Sequence, residues 1–194
     1  MKVSVLTPRL SFHPATASRW ADVEELFGER GACGGCWCMY WRMARGEWAK
    51  GKGDRNKNAF RKIVSANKKP GVLAYADKEP VAWCAVAPRE EFISLARSRV
   101  LKPLDDNAVW SITCLFVKKT FRRRGVSVAR LRAAVEFANK RGAKIVEGYP
   151  TIPTMEKTPD PFIYMGVPSA FKAAGFSEVA RRSATRPIMR LEIS

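Results

Sequence analysis

The stretch Val109–Gly142, VWSITCLFVKKTFRRRGVSVARLRAAVEFANKRG, decides the fold. It opens on an apolar run, Val109 to Val117, of strand length and rich in β-branched and aromatic side chains. A basic turn follows, Lys118 to Arg124. Gly125 then opens a helix in which Val128, Leu131, Val135 and Ala138 recur at helical spacing, with Gly142 placed as its stop. Strand, loop and helix in this order make an anion site. The first N–H groups of a helix lack intrahelical partners and carry partial positive charge. Gly125 has no Cβ and lets an anion approach the backbone. Ser127 is small and sits in the first turn, and Arg122, Arg123 and Arg124 add guanidinium groups that match phosphate geometry.

The loop is neither a GxxxxGK[ST] nor a GxGxxG phosphate motif. It reads Arg122-x-x-Gly125-x-Ser127, five residues past the strand end at Val117. This resembles the coenzyme A signature [Q/R]xxGx[G/A] of the GNAT superfamily of acyl-CoA-dependent N-acyltransferases, with Ser127 one hydroxyl larger than Ala. The resemblance extends from about Val72 to the end, with a plausible two-helix start. It implies a mixed α/β fold in one domain, 1–194: a central, mostly antiparallel sheet, splayed at the cofactor strand and flanked by helices. It also implies acetyl-CoA as acyl donor, held by Leu115, Phe116, Val117, Arg122, Arg123, Arg124, Gly125, Val126 and Ser127.

Working outward, the strand itself changes pattern. Trp110, Ile112 and Cys114 alternate with Ser111 and Thr113, and then Leu115, Phe116 and Val117 run unbroken. A bulge produces such a register change. In the resembled family a bulge splays this strand, and its freed backbone groups bind the pantetheine arm and polarise the thioester carbonyl, an oxyanion-type contribution. Upstream, Val72–Ala76 and Val81–Ala87 read as a hairpin around Asp77-Lys78-Glu79-Pro80. Residues 88–106 form a connector with one helical turn at Ser94-Leu95-Ala96. Downstream come a strand from Lys144 to Tyr149, an irregular connector over 151–167, a helix over Ser169–Ala174, and a closing hairpin of Ser177–Arg181 and Arg186–Ile193.

At the other end, Val3, Val5 and Leu6 suggest an opening strand or arm. Ser18 is placed to cap a helix over Arg19–Phe27, and Asp54 to cap one running through Ala66. Between them lies CGGCWCMYWR, Cys33 to Arg42, with three thiols among three aromatics. CxxC is a zinc-ligand spacing, but no second CxxC exists and the one histidine, His13, is far away, so no metal site is assigned. The segment reads either as packed core or as an acceptor wall built from Trp37, Tyr40 and Trp41.

Composition bounds the function. Lys plus Arg number 35 against 18 acidic residues, a net charge of +17. Such a field draws polyanions and leaves a nucleic-acid partner open. It disfavours a polycationic acceptor unless a local acidic pocket exists. Five cysteines are an odd number, no secretory segment is visible, and structural disulfides are not expected. No apolar run approaches a membrane span, so a cytoplasmic monomer or homodimer with no membrane role is expected.

The chemistry implied by the resemblance is attack of a primary amine, of a small molecule or peptide, on an acyl thioester. A base removes the amine proton and a donor protonates the departing thiolate. The family's donor position falls on Phe171, which has no proton to give, so Tyr164 is the expected substitute and Tyr149 the next. Glu147, a lone carboxylate in an apolar strand, is the expected base, ahead of Glu90 and Glu91. Two other classes stand beside this one: transfer to an RNA- or ribosome-associated acceptor, and a CoA-binding regulatory module without catalysis.

Overall fold

A computed structural model describes residues 9–122, 124–154, 159 and 162–193. Val3, Val5 and Leu6 of the opening arm, and Arg123 of the basic turn, lie outside the described residues.

The strands are β1 (Leu10–Pro14), β2 (Gly71–Ala76), β3 (Glu79–Pro88), β4 (Trp110–Val117), β5 (Ile145–Gly148), β6 (Ser177–Arg181) and β7 (Pro187–Glu192). They form one sheet in the order β1-β2-β3-β4-β5-β7-β6, in which β4 and β5 are parallel and the other neighbours antiparallel. The helices are α1 (Trp20–Phe27), α2 (Arg45–Lys50), α3 (Asp54–Ser65), α4 (Ile93–Ala96), α5 (Val126–Asn139) and α6 (Pro168–Ala173). Among the described residues no helix is long and apolar enough to cross a membrane. The mixed, mostly antiparallel sheet flanked by helices is the expected fold class.

β2 and β3 are apolar without alternation because both faces of the sheet are covered. Val72, Cys84, Val86, Ile112 and Leu115 pack with Leu131, Ala134 and Phe137 of α5. Leu73, Tyr75, Trp83 and Ala85 turn the other way and pack with Val23 and Phe27 of α1 and Phe60 and Val64 of α3. The two-residue period of a strand sends neighbours to opposite cores.

Local differences have local causes. Ser18 does not cap α1: it lies in a short 3-10 turn, Ala17–Arg19, and its hydroxyl bonds the Thr16 hydroxyl at 2.9 Å. Asp54 is the first residue of α3 rather than its cap, which is Gly53 at φ +91°. The β2–β3 link is only Asp77-Lys78, with Asp77 at φ +56°, so Glu79 and Pro80 join the ladder opposite Ala76 and Tyr75. Between the cysteine segment and α3, Arg45–Lys50 form the helical turn α2, which the sequence does not announce.

Candidate active site

The site grows from one extra residue in β4. Cys114 stands opposite Ala85 and Ile112 opposite Val86, so Thr113 has no partner on β3 and bulges. The parallel ladder to β5 covers only Trp110, Ser111 and Ile112, against Val146, Glu147 and Gly148. Beyond that point β4 runs on to Val117 without β5 beside it. The expected splay is therefore present, at the expected strand.

The opening is not bare. The Leu115 N–H donates to the Tyr164 carbonyl at 2.7 Å, and the Thr151 N–H to the Gly166 carbonyl at 2.9 Å. Residues 164–166 thus lie as a strap between β4 and the chain continuing from β5. Gly166 sits at φ +85°, and a Cβ there would come within 2.8 Å of Leu115 Cδ1. Further along β4, the Phe116 carbonyl accepts from Arg130 Nη1 at 2.8 Å and the Val117 carbonyl from Arg122 Nε at 3.1 Å. The Leu115 N–H and the Phe116 and Val117 carbonyls, expected as freed backbone groups, are thus each met by the strap or a side chain.

The loop after β4 has the expected shape. Lys119–Phe121 make a 3-10 turn, Arg122 is extended, and Gly125 is left-handed at φ +73° as the N-cap of α5. No side chain caps that helix. The Val128 and Ala129 amides reach the Gly125 carbonyl, and those of Val126 and Ser127, the first two of the helix, have no intrahelical acceptor. Arg124 is exposed, stacked 5.7 Å from the centre of the Phe121 ring.

Arg130 is a part of the site that no motif marks. It is only 6% exposed and has no carboxylate beside it among the described residues. Nη1 holds the Phe116 carbonyl, Nη2 reaches Ser127 Oγ at 3.5 Å, and Nε is unpartnered. Burial pushes its pKa down to about 10, so it remains charged at neutral pH. A buried guanidinium thus stands behind the open end of α5 and adds to the positive potential there. Its place four residues after Val126 and four before Ala134, on the inward stripe of α5, is the signal the sequence does carry.

Glu147 is not a lone carboxylate. It is 1% exposed. Oε1 accepts from Arg89 at 3.1 Å and from the Tyr149 hydroxyl at 2.8 Å, and Oε2 accepts from Arg190 at 2.7 Å. Arg190 also holds Asp105 in a two-pronged pair at 2.5 and 3.0 Å, which keeps the Asp105 carboxyl down at about 2. Tyr149 is hydrogen-bonded by Arg89 and, at 2.7 Å, shares a bond with the Ser111 hydroxyl. Burial and the Glu147 charge raise the Tyr149 pKa, so it stays a phenol. A chain of bonded groups therefore runs from Glu147 through Tyr149 to Ser111, two residues before the bulge. The sequence does not pair these arginines with Glu147, because they arrive from β7 and from the end of β3.

The three aromatics expected on one wall divide. Tyr40 meets Trp41 and Trp48 edge to face, each at 4.9 Å, and Tyr164 at 6.3 Å, so these rings gather beside the strap. Burial raises the Tyr164 pKa. Trp37 instead packs into the α1–α3 core, stacked on Trp20 at 6.2 Å. It also lines a cavity of about 500 Å³ with Glu24, Glu25, Glu29, Asp54 and Lys57, the local acidic pocket that the net charge left conditional. Lys57 pairs with Glu24 there at 2.6 Å and lies 5.1 Å over the Trp37 ring. Glu91, a runner-up base, is the ion-pair partner of Arg42 at 2.8 Å. Phe171 is fully buried, and Gly148 makes room for it: a Cβ at 148 would lie 2.0 Å from Phe171 Cε1. At this position the ring is core, packed on Phe176.

A comparison with curated protein sequences finds no match. Among solved structures, the PaiA N-acetyltransferase of Thermoplasma acidophilum, in complex with coenzyme A, is similar in fold. It has 12% identity and a TM-score of 0.53, over 95% of this chain and 99% of that one. A GNAT-family acetyltransferase of Listeria monocytogenes has 9% identity and a TM-score of 0.59 over the whole of both chains. The aminoglycoside N-acetyltransferase AAC(6')-Iy, in complex with CoA, has 15% identity and a TM-score of 0.54, over 93% of this chain and 96% of that one. The model of the acetyltransferase (GNAT) family matches residues 36–151, more than half of the chain, from Cys36 inside the cysteine segment through the bulge, the basic turn and α5. The chain therefore belongs to the acetyltransferase (GNAT) family.

Proposed function

We propose that this protein transfers an acetyl group from acetyl-CoA to a primary amine of a small molecule or peptide, in the cytoplasm. The observation that carries the reading is the junction of β4 and α5. A strand that parts from its parallel neighbour after Ile112 ends at Val117 and leads through one loop to an uncapped helix end at Gly125. The coenzyme A complexes of the Thermoplasma and aminoglycoside enzymes support it.

In this reading the Val126 and Ser127 amides hold the diphosphate, with Arg122, Arg123 and Arg124 around it and Arg130 behind. Bound acetyl-CoA supplies the thioester. The Leu115 N–H is the donor aimed at its carbonyl, and to serve there it must release the Tyr164 carbonyl. The strap therefore moves when the donor substrate enters. Tyr40 and Trp41 form the acceptor wall beside Tyr164, and Trp37 faces the acidic cavity. That cavity removes the objection to a cationic acceptor that net charge alone would raise. Tyr164 gives the proton to the leaving thiolate. Glu147 acts through Tyr149 and Ser111, drawing the amine proton along a bonded chain.

Gly125→Glu tests the core of this reading. A Cβ at 125 meets nothing within 4 Å, but the left-handed φ of +73° strains any side chain there by about 1–3 kcal/mol, so Gly125→Ala, which carries the strain without the charge, is the control. The carboxylate would lie where the diphosphate belongs. Calorimetric titration of acetyl-CoA is expected to show a Kd at least roughly a hundredfold weaker, about 2.7 kcal/mol. An unchanged Kd would count against the site. Thiol release with a panel of primary amines then establishes catalysis and excludes a silent CoA-binding module.

A second reading, transfer to an RNA- or ribosome-borne acceptor, is favoured by the outer face of α3, where Arg55, Arg61 and Lys62 are exposed. It requires RNA retention that falls steeply with salt.

A further inference from the structure

The transferase reading leaves one motif of the sequence unused, the cysteine segment. Among the described residues no group of three or more His, Cys, Asp or Glu side chains is arranged to hold a metal ion. The thiols are free, and they are not alike. Cys33 is exposed, whereas Cys38 turns inward, because Trp37 and Cys38 both take left-handed backbone angles, φ +46° and +58°. Two successive non-glycine residues in that region are strained, and the strain seats the Cys38 sulfur on the face of β3 and β4. There it accepts a hydrogen bond from Trp83 Nε1 at 3.2 Å. Cys114, the residue that follows the bulge and stands opposite Ala85, points to the same face as Phe116 and Trp83 and packs in one cluster with Cys38.

We propose that Cys38 and Cys114 are a redox-active pair, which a peroxide converts reversibly to a disulfide tying the cysteine segment to β4. The partners fit their parts. The Trp83 indole can only donate, and the Arg42 guanidinium is near and buried, so both favour a thiolate at Cys38. No such indole bond meets Cys114 among the described residues, and the neighbouring Cys38 sulfur and burial hold its thiol protonated. One sulfur is thus the nucleophile and the other the resolving thiol. Cys114 is only half-buried, so a small oxidant reaches the pair from its side. The Cys38 thiolate attacks one peroxide oxygen and the O–O bond breaks, leaving a sulfenic acid on Cys38 and releasing hydroxide. The Cys114 sulfur then attacks the Cys38 sulfur, the S–O bond breaks, and the second oxygen leaves as water with the Cys114 proton. The two sulfurs lose two electrons, and the peroxide takes them. Reversible disulfides of this kind occur where structural ones do not.

The test needs only the native chain. It is treated with a small excess of hydrogen peroxide, alkylated, digested without reduction and mapped by mass spectrometry. The expected product is the Cys38 peptide joined to the Cys114 peptide, lighter than their sum by two hydrogens and separated by dithiothreitol. Cys38→Ser and Cys114→Ala each abolish it, and Cys33→Ser leaves it unchanged. Recovery of both Cys38 and Cys114 as alkylated peptides would overturn the proposal, as would a Cys33–Cys36 link as the disulfide formed. Neither readout depends on acetyl-CoA turnover, so the pair stands or falls apart from the proposed activity.

Discussion

At the scale of the residue, the chemistry of this site is governed by what charged groups find to pair with inside the fold. Glu147 finds two guanidiniums and a phenol, and Arg130 finds only neutral oxygens. Both sit among apolar neighbours in sequence, and spacing gives neither partner set. Removing the Glu147 carboxylate would leave Arg89 mostly buried without its counter-charge and Arg190 with Asp105 alone, a loss of about 3–5 kcal/mol. Glu147→Ala is therefore expected to lower Tm by roughly 10 °C in a melting curve. Glu147→Gln, which keeps the shape, separates tie from relay. If the residue serves the amine proton, kcat for acetyl transfer falls and its pH profile shifts. A purely structural role would lower Tm and leave that profile in place.

At the scale of the element, β4 is the part that makes a site out of a sheet. One extra residue, Thr113, stands where the strand leaves β5 and sends Ile112 and Cys114, two apart in sequence, to opposite faces of the sheet. The strap then closes the opening with two backbone bonds and a glycine that has no room for a side chain. Gly166→Ala forces a left-handed alanine against Leu115 and Phe171, a cost of about 1–3 kcal/mol from backbone strain and overpacking. Its expected signature is faster hydrogen exchange at the Leu115 amide, because the bond to the Tyr164 carbonyl is loosened. Retained protection at Leu115 would show that the strap is not held by that contact.

At the scale of the molecule, a chain of net charge +17 must hold its few carboxylates well. Asp105 is the exposed example: its pairing with Arg190 lowers its folded pKa to about 2. A depressed carboxylate contributes stability that is fully present above its unfolded pKa of about 3.9 and disappears as pH falls towards 2. Wild-type protein should therefore exceed Asp105→Asn in Tm at pH 6, and the difference should vanish by about pH 2. A gap that stays constant through this window would mean that Asp105 contributes by shape and not by charge.

The sequence by itself determines much of this protein. Apolar periodicity places β4 and α5, a register change in the run from Trp110 to Val117 announces the bulge, and Arg122-x-x-Gly125 marks the uncapped helix end. These are local properties, set by backbone geometry and by neighbours a few positions apart. Tertiary structure alone decides the rest. Glu147 becomes half of a double ion pair because Arg190 lies opposite it on β7. Trp37 parts from Tyr40 and Trp41 for the core, while Tyr164 arrives from a long connector to cover Leu115. Cys38 meets Cys114 across the sheet face. Partners so far apart in the chain are selected by how the layers close on each other, and spacing along a sequence carries no record of that.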